Sequence, residues 1–124
     1  MLDSGAVTRL AERSTRSLAL VRALRSADLW PPVVPTMVLV ESLHGQAGRD
    51  ANVNRLLKTC VINAAVIVET ARRAASLRSR AGRGSAVDAL VVALAEPGGA
   101  ILTGDVADLS ALADHGDRVA VIPI

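Results

Sequence analysis

The chain has 124 residues, 51% of them hydrophobic, which is enough to bury one core without disulfide or metal staples. Fourteen basic residues against twelve acidic ones leave a formal net charge of +2, too small an excess to argue by itself for nucleic-acid binding. A single cysteine, Cys60, excludes an internal disulfide and a thiolate metal cluster, and a single aromatic ring, Trp30, excludes the stacking platforms that read single-stranded bases.

In chain order, Met1 and Leu2 fit the end of a very short strand that runs into a helix from Ser4 to about Arg13. A second helix, roughly Arg16 to Ala27, carries Leu18, Val21, Leu24 and Ala27 at the spacing of one apolar face, and Trp30-Pro31-Pro32 ends it. Val33 and Val34 form a short strand stopped by Pro35, after which Thr36 is placed to cap a helix MVLVESLHG closed by Gly45. A short helix is expected over Asn52 to Cys60, with Cys60 as a small buried filler, then a strand at Val61-Ile62. Ala64 to Arg80 reads as a long helix with Glu69 placed to pair with Arg72 and Arg73. The segment GRGS breaks it, SAVDALVVALA forms the next helix, and Pro97-Gly98-Gly99 closes that one. AILT is a strand, DVADLSALADHG a helix and VAVIPI a last strand. Helices alternating with short β-branched runs predict an α/β fold, a small parallel sheet covered on both faces, in one domain over residues 1–124.

The longest apolar runs, VVPTMVLV and ALVVALA, fall well short of the roughly 18 residues a membrane span needs. Early charges at Asp3, Arg9, Glu12 and Arg13 do not fit a signal peptide, and the lone cysteine suits a reducing compartment, so a cytoplasmic protein is expected.

The acids are where the sequence is most informative. Asp88 has a local explanation, because Ser85 and Asp88 form the S-x-x-D of a capping box. Yet Asp3, Glu41 and Asp105 also interrupt or end apolar stretches, and burying an ionised carboxylate costs several kcal/mol unless a cation, proton or donor compensates. Asp3 and Asp105 fall at the carboxyl ends of expected strands, the edge where open parallel sheets bind ligands. An all-oxygen set at such an edge is the chemistry of Mg²⁺ or Mn²⁺, ions that serve phosphodiester hydrolysis. Capping and metal binding both remain open for these residues.

The order LDSGAV, VPTMVLVESLHG, SAVDALVVALA, AILTGDVADLSAL and a terminal VAVIPI resembles the PIN-domain ribonucleases, specifically the VapC-type toxins of bacterial toxin–antitoxin modules. The similarity runs along essentially the whole chain and implies a three-layer α/β/α sandwich with a small parallel sheet. It also implies that Asp3, Glu41, Asp88 and Asp105 gather one or two Mg²⁺ or Mn²⁺ ions, with Asp108 as a further acid and Thr103 as the hydroxyl residue beside the last one. The implied activity is endonucleolytic cleavage of RNA by a metal-activated water, in a homodimer neutralised by a cognate antitoxin. Only Met1 and Leu2 precede Asp3, so the first strand is expected to be clipped, or the true start to lie upstream. The alternative reading is a catalytically silent PIN-like module that acts by binding protein.

Arg72, Arg73, Arg78, Arg80 and Arg83 cluster on the long helix and its following loop, either to hold RNA phosphates or as a solvated face paired locally. His44 and His115 read as surface or helix-end residues, and GRGS is too short a signal for a nucleotide loop.

Overall fold

The computed structural model describes residues 1–124, in the order α1 (Ser4–Ala11), α2 (Thr15–Ser26), β1 (Val33–Pro35), α3 (Val38–Ser42), α4 (Ala51–Leu57) and β2 (Val61–Asn63). There follow α5 (Val68–Ala81), α6 (Ala86–Ala95), β3 (Ala100–Thr103), α7 (Val106–Ala113) and β4 (Ala120–Pro123).

Two parallel pairs, β1 with β2 and β3 with β4, are joined through the opening segment. Leu2 bridges Leu102 in parallel, the Met1 carbonyl accepts from Leu102 N–H at 2.9 Å, and Leu2 N–H donates to the Val33 carbonyl at 2.9 Å. The spatial order is therefore β2, β1, the opening segment, β3, β4. In a parallel ladder the bond returning to the Leu2 carbonyl would come from residue 35, and Pro35 has no N–H to give. The expected first strand is thus reduced to a single bridge, anchored strongly on the β3 side and by one bond on the β1 side.

The helices fall into two groups. Helices α2, α3 and α4 pack on α1, while α5, α6 and α7 pack on one another, and both α1 and α6 reach β3. Successive side chains of β3 point to opposite faces, and Ile101, Leu102 and Thr103 are all buried, so the sheet is covered on both sides. One core runs through it, from Leu2, Val7 and Leu10 on the α1 side to Leu77, Val91, Val92, Leu109 and Leu112 on the other. No helix is long and apolar enough to cross a membrane.

Several helix ends differ from expectation for local reasons. The first helix stops at Ala11 because Arg13 turns left-handed at φ 59°. Thr36 does not cap α3: its hydroxyl donates to the Asn63 carbonyl at 2.8 Å, tying the ends of β1 and β2, and α3 starts from Met37 with no side-chain cap. Helix α5 begins at Val68, not Ala64, because the Asn63 side chain accepts from Ala65 N–H at 3.0 Å and holds the chain in a turn. Glu69 forms no ion pair with Arg72 or Arg73; Arg73 reaches across to Glu96 with two hydrogen bonds, at 2.6 and 2.8 Å. Cys60 is half-buried, its Sγ 3.4 Å from the Leu56 carbonyl, and burial pushes its thiol up, as expected of an inert filler.

Candidate active site

Four of the expected acids come together. Asp3 leaves the opening segment, Glu41 sits in α3, Asp88 in the first turn of α6, and Asp105 between β3 and α7; all four line one open groove of about 530 Å³ at the carboxyl ends of the strands. No three of them stand close enough together to form a finished coordination shell. Asp3 is buried, Asp88 half-buried, and Glu41 and Asp105 are exposed, so the set grades from a fixed base to adjustable rims.

Three of these carboxylates sit at helix starts. Asp3 is the N-cap of α1 and accepts from Ala6 N–H at 2.6 Å. Asp88 completes the capping box of α6: Ser85 N–H donates to its Oδ2 at 2.8 Å, and Asp88 N–H donates to Ser85 Oγ at 3.0 Å. Asp105 is the N-cap of α7, with Asp108 N–H at 3.5 Å from its Oδ1. Three helix N-termini therefore converge on the groove, and their partial positive charge offsets part of the repulsion among the acids.

Thr103 ties two of the acids together. Its side chain is fully buried; its hydroxyl donates to Asp3 Oδ2 and accepts from Asp105 N–H at 2.7 Å. Burial pushes the Asp3 carboxyl above its ordinary range, the Thr103 and Ala6 hydrogen bonds pull it partly back, and the charge of Asp88 pushes it up again. None of the four groove acids is ion-paired to an arginine, lysine or histidine. The groove thus holds negative charge that this chain does not neutralise, on oxygen ligands only, which fits a hard divalent cation.

The family model described as the PIN domain matches residues 1–114. The chain belongs to the PIN-domain family. Among curated proteins none matches it. The PIN domain is a small α/β fold of nuclease type, whose members generally use divalent metal ions and act on RNA.

In this PIN domain Asp108 stands apart from the groove. Its carboxylate is ion-paired with Arg83, whose Nε lies 2.6 Å from Oδ1, so the expected further metal acid is held by the loop after α5. That pair and the Arg73–Glu96 pair also occupy two of the five arginines expected to grip phosphate. His44 donates from its backbone to buried Asp50, and the His115 carbonyl accepts from Arg73; neither histidine lines the groove.

Sequence reasoning missed the wall that α1 contributes: Ser4, Gly5, Thr8, Arg9 and Glu12 line the groove beside the acids. The signal was present, since Ser4, Thr8 and Glu12 recur every four residues on the face opposite buried Ala6 and Leu10. Gly5 and Gly104 meet at the groove floor. A Cβ on Gly5 would lie 3.0 Å from Gly104 N and 3.1 Å from its Cα, close enough that the Gly104 backbone would have to give by a few tenths of an ångström.

Proposed function

We propose that this chain is a metal-dependent endoribonuclease acting as a single domain, the toxin component of a type II toxin–antitoxin module, cytoplasmic and homodimeric, with a cognate antitoxin that covers the groove. The observation that carries the hydrolytic reading is the groove itself: four acids from four separate segments, none ion-paired, at the carboxyl edge of a parallel sheet. The toxin role, the antitoxin and the dimer rest on the resemblance of the motifs to VapC-type proteins.

Asp3, Glu41, Asp88 and Asp105 would hold one or two Mg²⁺ or Mn²⁺ ions, which neutralise charge at the phosphate and acidify a water for attack. Asp3 forms the fixed base, since Ala6 and Thr103 hold both of its oxygens while leaving lone pairs toward the groove. Asp88 has Oδ2 committed to the cap and Oδ1 free of hydrogen bonds, so cap and ligand roles fall on different oxygens. Glu41 and Asp105, exposed and lightly bonded, would adjust their carboxylates to the cation. Thr103 acts as a positioning residue through Asp3 and Asp105.

One observation favours the silent, protein-binding alternative: Asp3, Asp88 and Asp105 each already have a structural task at a helix start. Two substitutions separate the readings. Asp88→Asn keeps an oxygen for the cap and loses the charge; Ser85→Ala loses the cap, at about 1 kcal/mol, and keeps the charge. The nuclease reading expects Asp88→Asn to abolish Mg²⁺-dependent cleavage of a labelled RNA and Ser85→Ala to retain most of it. It also expects Mn²⁺ to raise the wild-type thermal midpoint and not that of Asp88→Asn. Absence of both cleavage and a Mn²⁺ shift in the wild type would establish the silent module instead.

A further inference from the structure

The acidic groove has one cation on its wall, Arg9, and Arg9 also lines a second cavity of about 230 Å³ between α1 and α2. That cavity holds a second arginine, Arg16, together with the hydroxyl residues Ser14 and Ser17. Both guanidinium groups are exposed and neither pairs with an Asp or Glu side chain: Arg9 donates once, to the backbone oxygen of the last residue, Ile124, at 2.8 Å, and the Arg16 side chain makes no hydrogen bond. This contrasts with Arg73 and Arg83, which are ion-paired. Arg9 lies against the floor: a Cβ on Gly104 would sit 3.6 Å from Arg9 Nε, in ordinary van der Waals contact. Glu12 is the one acid shared by both cavities and opposes the arginines.

We propose that Arg9 and Arg16 form the track by which the groove grips its substrate, a single-stranded RNA whose phosphates beside the scissile bond rest first on Arg9 at the groove rim and then on Arg16 in the α1–α2 cavity. The proposal rests on the ribonuclease reading of the same groove. A polyanion brought to a groove of five carboxylates needs cations at its edge, and with no aromatic ring on either wall the strand cannot be held by stacking. Guanidinium forks match phosphate oxygens in pairs, and Arg9 keeps most of its donors unused. The strand therefore leaves the acids across α1, on the opposite side from the paired arginines of α5 and its loop.

The test measures binding of a fluorescent single-stranded RNA by anisotropy across a KCl series in EDTA, beside Mg²⁺-dependent cleavage of the same RNA by the wild type. Arg9→Gln and Arg16→Gln are each expected to weaken binding about tenfold and to lower the slope of log affinity against log salt by roughly 0.7. Arg9→Lys should keep the slope and lose part of the affinity, since an ammonium lacks the fork. Glu12→Gln should bind as tightly as the wild type or tighter, and Arg72→Gln, in the N-terminal half of α5, should change neither quantity. Thermal melts confirm that each variant is folded. Wild-type affinity and slope in Arg9→Gln and Arg16→Gln, with metal-dependent cleavage intact in the wild type, would overturn the track and leave the nuclease reading standing. Loss of slope in these variants without any wild-type cleavage would support the track and overturn the hydrolytic reading. A wild type that neither binds nor cleaves RNA would overturn both.

Discussion

Thr103→Val offers the most direct test of how the groove is held. Valine keeps nearly the volume of threonine, so the fully buried site gains no cavity, and what changes is two hydrogen bonds. The first, from the Thr103 hydroxyl to Asp3 Oδ2, goes to a buried carboxylate and contributes about 2 kcal/mol. The second, from Asp105 N–H at 2.7 Å, leaves a half-buried donor that water reaches in part, worth about 1 kcal/mol. The expected loss near neutral pH is about 3 kcal/mol, roughly 10 °C in Tm for a chain of this size. Thr103→Ser keeps both bonds and loses one buried methyl, about 1 kcal/mol, so the smaller side chain should give the more stable protein.

The pH dependence has a definite sign. Burial holds the Asp3 carboxyl above its ordinary value of 3.8, and the Thr103 bond moderates that rise. A group with a raised folded pKa contributes stability that is complete below the unfolded value and is lost as pH climbs through the folded one. Removing the moderating bond deepens that loss, so the deficit of Thr103→Val should be small below pH 4 and widen toward neutrality. Urea denaturation of wild type, Thr103→Val and Thr103→Ser from pH 4 to 7.5 measures it. Equal stability of the two variants at neutral pH, or a deficit that does not change with pH, would refute the account.

Two further outcomes follow from the packing. Gly5→Ala replaces a poor helix former by the best one, yet its Cβ would press on Gly104 backbone, so the net effect should be a loss of about 1–2 kcal/mol, read as a lower thermal midpoint. A higher midpoint would show that α1 and the β3–α7 loop are not locked together. Arg73→Met should cost about 1–2 kcal/mol at neutral pH, discounted because the arginine side chain is a third exposed. The Arg73 hydrogen bonds hold Glu96 below its ordinary value of 4.5, so this contribution is fully present above that pH and is lost as pH falls through the lowered folded value. The gap between wild type and Arg73→Met in urea melts should therefore narrow as the solution is acidified below pH 4.5, and a gap that is independent of pH across the acid range would exclude the ion pair as its cause.

Legibility in the sequence followed the range of the interactions. SAVDALVVALA could be read as a capped helix because Ser85 and Asp88 satisfy one another three residues apart, and both bonds of the box are present. The strand and helix order was legible for the same reason, since apolar runs and breakers act locally. Pairing between distant segments was not. Glu69 looked like the partner of Arg73, but Glu96 lies across the packed faces of α5 and α6, and also accepts from Asp117 N–H at 2.7 Å, so it offers the arginine a fixed acceptor. Asp108 looked like one more site acid until the fold brought Arg83 to it. Arg9 was passed over because an exposed arginine on an amphipathic helix is ordinary; only its place between two cavities distinguishes it.

The same locality explains how acids can be concentrated in this groove without unfolding it. Asp3 and Asp105 each accept from a backbone N–H in the first turn of the helix they cap, and Asp88 accepts from the N–H of its own helix's N-cap residue, Ser85, so each of these carboxylates brings part of its own compensation. Thr103 then couples Asp3 to Asp105 through one hydroxyl, from a strand with both faces covered. What remains uncompensated is concentrated on Asp3, the one groove acid whose carboxyl burial and Asp88 push upward. On Asp88 a helix cap and a cation ligand are compatible because capping uses Oδ2 and leaves Oδ1 without a hydrogen bond, whereas on Asp3 each oxygen accepts one bond and keeps further lone pairs. Capping fixes Asp3 and Asp88 before any cation arrives, so a divalent ion would meet two oriented acids, with the exposed Glu41 and Asp105 left to move toward it.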